Sequence, residues 1–527
     1  MDRHGARFVL HAMDACGGGR ERLAGLILGD AARPADDEPL GPGVTFEHVN
    51  ADAGAAVVME AGVARLPPRV EPGLGMAVAP EQLERPGPAA VERNKVDELG
   101  CRASQSRALV RREIVLAGRQ GLETGGVDHY FILILDRAIV HDHPVSRIAR
   151  VEAWPVNVPL EATYLMASGV VPGISRTVVR VTTDDGVVGL GEAASCSDAA
   201  SLRGELGHRL VGRATADLLD ELGRIERRPI EHRRDAKVLV RSPLAGVEIA
   251  LWDIAAREAG VPLHVLLGGA VRTEIEFSEY FAYRPEHEES PADVAAFCAK
   301  MVEEHGSPVF EGKVAVHPVE QDVALVREVR AAIGPDRALR IDANMGWRLE
   351  TARRALALLE PFDIANVEEP VGSFAELAEL RRSTVIPFSS HTPDVALAAE
   401  LGVPDTIVLG LGFCGGIAGT QRLIAACEAG GVGFRFYSGD LGIATAAYLH
   451  VAAATAYLDR PSQSLLRWTT DDVIANGPFS PEGGVLHVPT GPGLGVELHE
   501  PALARCVERF AREGEYEFYI GGPLPRF

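Results

Sequence analysis

The chain has 527 residues, with 74 Asp or Glu against 52 Lys or Arg, and its formal net charge is −22. This charge argues against nucleic acids and anionic membranes as partners, because their phosphates would repel the protein. No apolar run approaches the roughly 20 residues of a membrane-spanning helix, and the N-terminus lacks the sustained apolar segment of a secretory signal. Seven cysteines without a C-x-x-C pair indicate reduced thiols in a cytoplasmic protein.

Residues 1–144 differ in composition from the rest of the chain, since they hold only 4 of its 30 aromatic residues. Aromatic side chains dominate core burial, so we expect this segment to be a disordered extension or the product of a start codon assigned too far upstream. The alternative is that residues 1–144 form a regulatory domain. Within them, the apolar run 131–135 is the one clear strand signal, and regular strand and helix signals begin only at Val145.

The next segments alternate between strand and helix signals. Residues 148–158, 176–183 and 187–192 are rich in β-branched side chains, and Asp184-Asp185-Gly186 predicts a tight turn between the last two. Residues 243–260 carry apolar side chains at helical spacing, as do 319–333 and 350–359.

Beyond residue 275 a short apolar strand followed by a helix recurs eight times. The predicted strands are 276–284, 309–316, 338–343, 364–369, 385–390, 406–411, 431–437 and 463–468. Eight such units are typical of an α/β protein with a (β/α)8 barrel. A doubly wound sheet is the alternative, but no G-x-G-x-x-G follows a strand.

Four polar residues stand at the ends of consecutive predicted strands: Lys313, Asp342, Glu368 and His391. Chemistry in such barrels takes place at the C-terminal ends of the strands. Two carboxylates with a neutral third ligand suit Mg²⁺ or Mn²⁺. Each residue alone has an ordinary explanation, such as a turn cap or a hydrogen-bonded structural histidine, so the prediction of a metal site depends on the regular spacing.

Several motifs resemble the enolase superfamily in its mandelate racemase and muconate-lactonising branch. They are AGVEIALWDIAAREAGVPLHVLLGG (245–269), RIDANMGW (340–347), NVEEP (366–370) and GPGLGVEL (491–498), while EYFAYR (279–284) and SSHTP (389–393) resemble glucarate dehydratase-like members most. The resemblance implies an α+β capping domain over 145–275, completed by a C-terminal return over about 485–527. It implies a modified TIM barrel over 276–484.

The resemblance also implies a chemistry, the abstraction of a proton α to a carboxylate. Asp342 and Glu368 match the family's first two ligands for Mg²⁺, with Mn²⁺ as an alternative ion. His391 stands where the family has a carboxylate or an asparagine, so its role as third ligand is a hypothesis. Lys313 matches the second lysine of a Lys-x-Lys pair and is the implied base, and Asn344 matches a polar residue that contacts substrate or enediolate oxygens.

The chain departs from the family pattern on both sides of the implied site. Glu311 replaces the first lysine of the pair, where a carboxylate favours charged Lys313. Two other roles are open to Glu311: it could accept a hydrogen bond from a substrate hydroxyl, or it could act as a fourth metal ligand. The aspartate after strand six and the histidine after strand seven are both missing, which leaves Asp440 and Tyr437 as candidates for an acid. Asp440 equally suits the cap of the following helix.

Substrate specificity in this family belongs to the capping domain, whose first flexible loop we place near 163–174. Tyr164 and Met166 are the expected substrate contacts, and Gly169 and Gly173 would permit movement of a lid. A surface hairpin is the alternative explanation of this segment.

Three functions compete at this level. We favour a Mg²⁺-dependent acid-sugar dehydratase, a lyase of carbohydrate acid catabolism that acts on a small carboxylate substrate and forms a homo-oligomer. A syn elimination needs one face of the substrate, so the missing strand-six and strand-seven residues favour it over a racemase. The alternatives are an epimerase or cycloisomerase of the same superfamily, and a non-catalytic protein that kept the fold.

Overall fold

A computed structural model describes residues 6–12, 44–51, 54–61, 109–119, 130–139, 146–224, 243–437, 440–458, 461–463 and 465–516. The chain divides into two compact units, Met1–Pro144 and Val145–Phe527.

Five strands of the first unit lie among the residues that the structure describes. Strands β1 (Ala6–Ala12), β2 (Val44–Ala51) and β3 (Gly54–Ala61) form an antiparallel sheet in the order β1-β3-β2, and β4 (Leu109–Arg119) pairs with β5 (Tyr130–Ile139). The strand expected at 131–135 lies within β5. The origin of this segment, as an extension or a wrongly assigned start, stays a prediction.

The second unit opens with an antiparallel sheet of β6 (Ile148–Met166), β7 (Gly169–Thr183) and β8 (Val188–Ala193) in chain order. The predicted turn at Gly186 is confirmed, with a φ of 90°. Strand β6 runs eight residues beyond the expected end at 158. The segment 163–174, predicted as a flexible loop, is therefore the end of a long hairpin.

Helices pack on this sheet, and their buried apolar side chains form a hydrophobic core with it. They are α1 (Asp198–Arg203), α2 (Glu205–Leu210), α3 (Thr215–Gly223), α4 (Pro243–Glu258) and α5 (Leu263–Leu266). Helix α4 lies directly on β8, where a Cβ on Gly191 would stand 1.8 Å from the carbonyl oxygen of Gly246. Glycine at 191 is therefore needed for this close approach.

Seven parallel strands form the barrel sheet, each hydrogen-bonded to the next in the chain. After β9 (Glu274–Glu276) they are β10 (Glu279–Phe281), β11 (Val309–Lys313), β12 (Ala338–Asp342), β13 (Ile364–Glu368), β14 (Phe388–Ser390), β15 (Thr406–Leu409) and β16 (Gly433–Phe436). The helices between and after them are α6 (Pro291–His305), α7 (Val319–Ile333), α8 (Leu349–Leu359), α9 (Phe374–Arg381), α10 (Val395–Leu401), α11 (Leu411–Cys414), α12 (Ile417–Gly430) and α13 (Gly442–Ala454).

The predicted eighth strand at 463–468 is wrong, because Leu466–Trp468 is a 3₁₀ helix. The preceding residues close the barrel instead. Ser462 forms a parallel bridge with Phe277 beside the first strand, and the amide of Gln463 donates to the carbonyl of Phe436 on the seventh strand at 3.0 Å. A short stretch of backbone thus takes the place of a full strand.

Two elements of the C-terminal part contact earlier elements of this unit. Strand β17 (Val485–His487) pairs with β9, and α14 (Glu500–Glu513) lies along β6. Asn157 on β6 donates to the carbonyl of Gly514 at 2.6 Å. None of the helices among the described residues is long and apolar enough to cross a membrane. The five cysteines described are buried free thiols.

Candidate active site

Three of the predicted site residues end three adjacent barrel strands. Lys313 is the register partner of Asp342, and Asp342 is the register partner of Glu368. Neighbouring parallel strands in register direct paired residues to the same face, so the three side chains lie side by side. All three are buried, with Glu368 fully so.

Lys313 is tied to Asp342, since its ammonium donates directly to Asp342 Oδ2. Burial acts against the charged amine, but the negative charge of Asp342 acts the other way, together with Tyr164 and Glu368. The net effect raises the pKa of Lys313 above its usual range. In this arrangement the lysine is an ammonium ion.

Asn344 orients Asp342 from the tight turn that follows β12. Its backbone is left-handed, with a φ of 45°, and this places two donors on the carboxylate. The amide N–H reaches Asp342 Oδ1 at 2.8 Å and Nδ2 reaches Oδ2 at 3.0 Å. Asn344 Oδ1 is buried and accepts no hydrogen bond from the described residues, so it remains an acceptor for a ligand.

His391 follows β14 and faces Glu368. Its Nδ1 lies 2.7 Å from the carbonyl oxygen of Val408, which can only accept, so Nδ1 carries the proton. Its Nε2 lies 2.9 Å from Glu368 Oε1. Burial raises the pKa of Glu368, but His391, Arg435 and Lys313 lower it more strongly, and the pKa lies well below the usual value.

The His391–Glu368 distance allows two arrangements. With a protonated ring it is an ion pair. With a neutral ring, Nε2 and Glu368 Oε1 both offer lone pairs, and the two atoms would suit as ligands of one divalent cation.

Glu311 lies one layer below Lys313, inside the barrel. It is fully buried, accepts from Ser278 Oγ at 3.1 Å and from Gln463 Nε2 at 2.8 Å, and lies 3.7 Å from Arg340. The structure does not bring Glu311 to the mouth. Its expected contact with substrate has no support from these interactions.

Gln463 and Arg435 join this buried layer to the site, and sequence reasoning identified neither. Gln463 Nε2 donates to Glu368 Oε2 at 2.7 Å as well as to Glu311. Arg435 donates to Asn366 and Ser389, both at 2.9 Å. A buried Arg within a strand is an unusual placement, which is the signal that would have identified Arg435.

Tyr437 and Asp440 stand on the other side of the mouth, after the seventh strand. The ring of Tyr437 makes an edge contact with His391, 5.5 Å between centroids. Asp440 Oδ1 accepts from Arg176 Nε on β7 at 3.0 Å. Burial lowers the pKa of Arg176, but Asp440, Tyr437 and Glu192 raise it to above the usual value.

The N-terminus of helix α13 is capped by residues other than Asp440. Glu192 accepts from the amides of Leu441 at 2.8 Å and Ala444 at 3.0 Å, and Asp472 accepts from that of Gly442 at 3.1 Å. Burial and Asp440 raise the pKa of Glu192 to about 8, against the opposing effect of Arg176. Asp440 therefore does not cap this helix and instead forms an ion pair with Arg176.

Tyr164 forms part of an aromatic wall behind Lys313. Its ring lies 6.2 Å from that of Tyr280 and 5.5 Å from that of Trp468, and Lys313 Nζ lies 5.7 Å from the Tyr280 ring. Met166 is partly buried two residues later. The hairpin end therefore contacts the strand-one side of the mouth.

The donors suit a hard divalent ion, although they do not form a closed cage. Asp342, Glu368 and Asn344 Oδ1 are oxygen donors, and His391 adds a nitrogen. Among the described residues, however, no three His, Cys, Asp or Glu side chains are grouped closely enough to hold a metal ion. Lys313 lies on Asp342 and His391 lies on Glu368, so each carboxylate has a basic side chain beside it.

Sequence comparison assigns this arrangement to a family. Residues 148–268 match the mandelate racemase / muconate lactonizing enzyme N-terminal domain, and residues 293–502 match the enolase C-terminal domain-like family. The chain belongs to the mandelate racemase/muconate lactonizing enzyme branch of the enolase superfamily. The predicted family and the capped, modified TIM-barrel fold are confirmed.

Relatives of this enolase superfamily member have several activities. A probable glucarate dehydratase of Streptomyces coelicolor is 30% identical over 367 residues, covering 63% of this chain and 84% of the relative. A D-Ala-D/L-Ala epimerase of Cytophaga hutchinsonii is 28% identical, covering 68% and 97%. A Pseudomonas fluorescens enolase solved with magnesium, potassium and tartrate is 25% identical with a TM-score of 0.64, covering 73% and 100%.

Proposed function

We propose that the chain is a Mg²⁺-dependent hydro-lyase that dehydrates an acid sugar. The observation that carries the proposal is the one-sided supply of reactive groups at the mouth. Lys313, Asp342 and Glu368 stand in register on strands two to four. The described residues 406–437 and 440–454 contain no lysine, and their one histidine, His450, is bonded to His264.

Asp342 and Glu368 are the proposed ligands of Mg²⁺, with His391 as the third and Mn²⁺ as an alternative ion. The bound ion would hold the substrate carboxylate and stabilise the negative charge that develops on it. The Pseudomonas fluorescens relative with magnesium and tartrate supports this assignment, because tartrate is a hydroxy acid.

Lys313 is the proposed proton carrier. Its neutral amine takes the α-proton, and the resulting ammonium gives that proton to the β-hydroxyl on the same face, so that a C=C bond forms and water leaves. Before it can act as a base, the ammonium must leave Asp342 Oδ2 and lose its proton to solvent, because the carboxylate favours the charged form. Asn344 holds Asp342 in place during that exchange.

A screen of acid sugars for 2-keto-3-deoxy product tests the proposal, with wild type, Lys313→Ala and Lys300→Ala compared in Mg²⁺. Lys300 is an exposed lysine on α6 that faces Glu304, so it is the matched control. We expect product from wild type and Lys300→Ala only. Equal product from Lys313→Ala would remove this lysine from the mechanism.

Epimerisation is the second candidate, favoured by the carboxylate of Asp440 on the side opposite Lys313 and by the 28% identical epimerase. Exchange of the α-hydrogen with solvent deuterium, without elimination, would support it. A non-catalytic protein would show neither reaction, and millimolar Mg²⁺ or Mn²⁺ would not stabilise it against heat.

A further inference from the structure

The ion pair between Arg176 and Asp440 fixes the chemical state of the carboxylate opposite Lys313. Both side chains are buried, with exposed fractions of 5% and 8%, and Nε meets Oδ1 at 3.0 Å. Arg176 NH1 also donates to the carbonyl of Ser175 at 2.8 Å, so the guanidinium is held in place. A carboxylate in such a pair is charged, and a charged carboxylate accepts hydrogen bonds and has no proton to give.

The second oxygen of Asp440 lies at the rim of the barrel. Oδ2 accepts no hydrogen bond from the described residues, and a Cβ on Gly410 would stand 3.3 Å from it. Gly410 follows the sixth strand and Tyr437 follows the seventh. In a closed eight-membered barrel the sixth strand lies opposite the second, which carries Lys313.

Oδ2 of the ionised Asp440 can only accept a hydrogen bond, and the guanidinium that pairs with this carboxylate lies on Oδ1. A substrate carboxylate placed here would be repelled, whereas a hydroxyl would donate to Oδ2. Such a site discriminates by an attractive and a repulsive element together.

We propose that Asp440 Oδ2 accepts a hydrogen bond from a distal hydroxyl of the substrate, that Arg176 is its positioning residue, and that the site therefore selects monocarboxylic over dicarboxylic acid sugars. The inference rests on the proposed acid-sugar dehydratase. It assigns Asp440 to substrate selection, whereas the sequence suggested an acid, and it leaves both proton transfers to Lys313.

The test uses the full chain with Mg²⁺ and three substrates: a six-carbon aldonate, the aldarate of the same configuration, and the aldonate without its terminal hydroxyl. The variants are Asp440→Asn and Arg176→Lys. Arg180→Lys is the matched control, since Arg180 lies on the same strand and bonds Glu152 through Nε at 2.9 Å. Circular dichroism checks that each variant is folded.

We expect wild type to prefer the aldonate. Asp440→Asn should raise KM for the aldonate about 10- to 100-fold and change kcat by less than about threefold, because a hydrogen bond to a charged acceptor is lost. Its effect on the deoxy substrate should be small, and the preference over the aldarate should shrink. Arg176→Lys should act in the same direction, and Arg180→Lys should leave selectivity unchanged.

Three outcomes would overturn the inference. A wild-type preference for the aldarate would contradict the charge argument. Loss of kcat at constant KM in Asp440→Asn, with loss of one limb of the pH profile, would make Asp440 a proton donor. Equal selectivity of Arg176→Lys and Arg180→Lys would remove Arg176 from positioning.

Failure of the dehydratase proposal is distinguishable by binding. If wild type forms no product, thermal shift with each acid sugar and Mg²⁺ gives a second measurement. Stabilisation by the aldonate that Asp440→Asn abolishes would support the inference without the proposed reaction. Stabilisation that Asp440→Asn leaves unchanged, or none by any acid sugar, would overturn the inference.

Discussion

The two sides of the barrel mouth are built differently. On strands two to five each functional group stands at or beside the end of its own strand, and its contacts run to the neighbouring strand, as Lys313 to Asp342 and His391 to Glu368. Strands six and seven are followed by Gly410 and Tyr437. On this side the buried charged side chains Arg176, Glu192 and Glu248 come from the capping sheet and its helix.

Carboxylates of the capping region bind the N-termini of two barrel helices on that second side. Glu248 on α4 accepts from the amides of Ile417 and Ala418 at the start of α12, at 2.7 and 2.9 Å. Glu192 on β8 does the same for α13. Buried carboxylates at helix N-termini satisfy amides that lack a partner in the helix. The reactive side thus depends on strand register, and the opposite side on long-range contacts.

The largest expected effect is on the reactive side, from Lys313→Ala. Loss of the proton carrier should lower turnover about 10³-fold, within the range typical of a general base. Product formation measures it, and stabilisation by Mg²⁺ should survive. If Lys313→Ala lost both turnover and the thermal stabilisation by Mg²⁺, the lysine would have a structural role.

Glu368→Gln should weaken Mg²⁺ binding about 100-fold, because it replaces a charged ligand with a neutral one. Titration calorimetry with Mg²⁺ measures the affinity directly. Glu376→Gln, a change at a half-buried position in the first turn of α9, is the control and should bind as wild type does. Unchanged affinity in Glu368→Gln would place the ion elsewhere.

Glu192→Ala tests the opposite side and should lower the free energy of unfolding by about 2 kcal/mol, because two buried amides of α13 lose their acceptor. Urea unfolding measures it. Glu497→Ala removes an exposed partner of Arg257 and should cost less than about 0.5 kcal/mol. Equal losses of unfolding free energy in the two variants would show that the Glu192 contacts with α13 stabilise the fold no more than an exposed ion pair does.

The smallest expected effect is a pH dependence on the same side, from His450 of α13. Its Nδ1 lies 3.0 Å from that of His264, and Nε2 donates to the carbonyl of Leu494. Burial lowers the pKa of His450 from 6.5 to about 4, with a smaller contribution from His264. The unfolded chain therefore binds the proton first, and the histidine costs stability as pH falls from 6.5 through 4.

Between pH 7 and pH 5 this should lower the free energy of unfolding by about 1–2 kcal/mol. His450→Gln should reduce that loss of unfolding free energy. His487 is an exposed histidine, so His487→Gln should show the same loss as wild type. Urea unfolding at both pH values measures the difference. An identical pH slope in wild type and His450→Gln would contradict the assignment.

Sequence patterns predicted the reactive side better than its opposite. The spacing of Lys313, Asp342 and Glu368 follows the repeat of strand and helix, so strand register brings them together. The same reasoning placed Glu311 at the mouth, because residues two apart share a strand face; burial put it one layer lower. It also assigned an eighth strand to 463–468, because apolar residues suit a strand and a buried 3₁₀ helix equally.

Arg176, Glu192 and Gln463 could not be placed from the sequence. Their partners lie 264, 249 and 95 residues away along the chain, in Asp440, Leu441 and Glu368. No local periodicity records such pairs.

The amino-acid sequence by itself determined the barrel, the capping sheet and the row of groups on strands two to four, because hydrophobic periodicity and strand register are local properties. The tertiary structure alone decided what faces Lys313. There the capping sheet supplies Arg176 to Asp440 and Glu192 to α13, since a buried charge is stable only beside a partner that the fold brings to it.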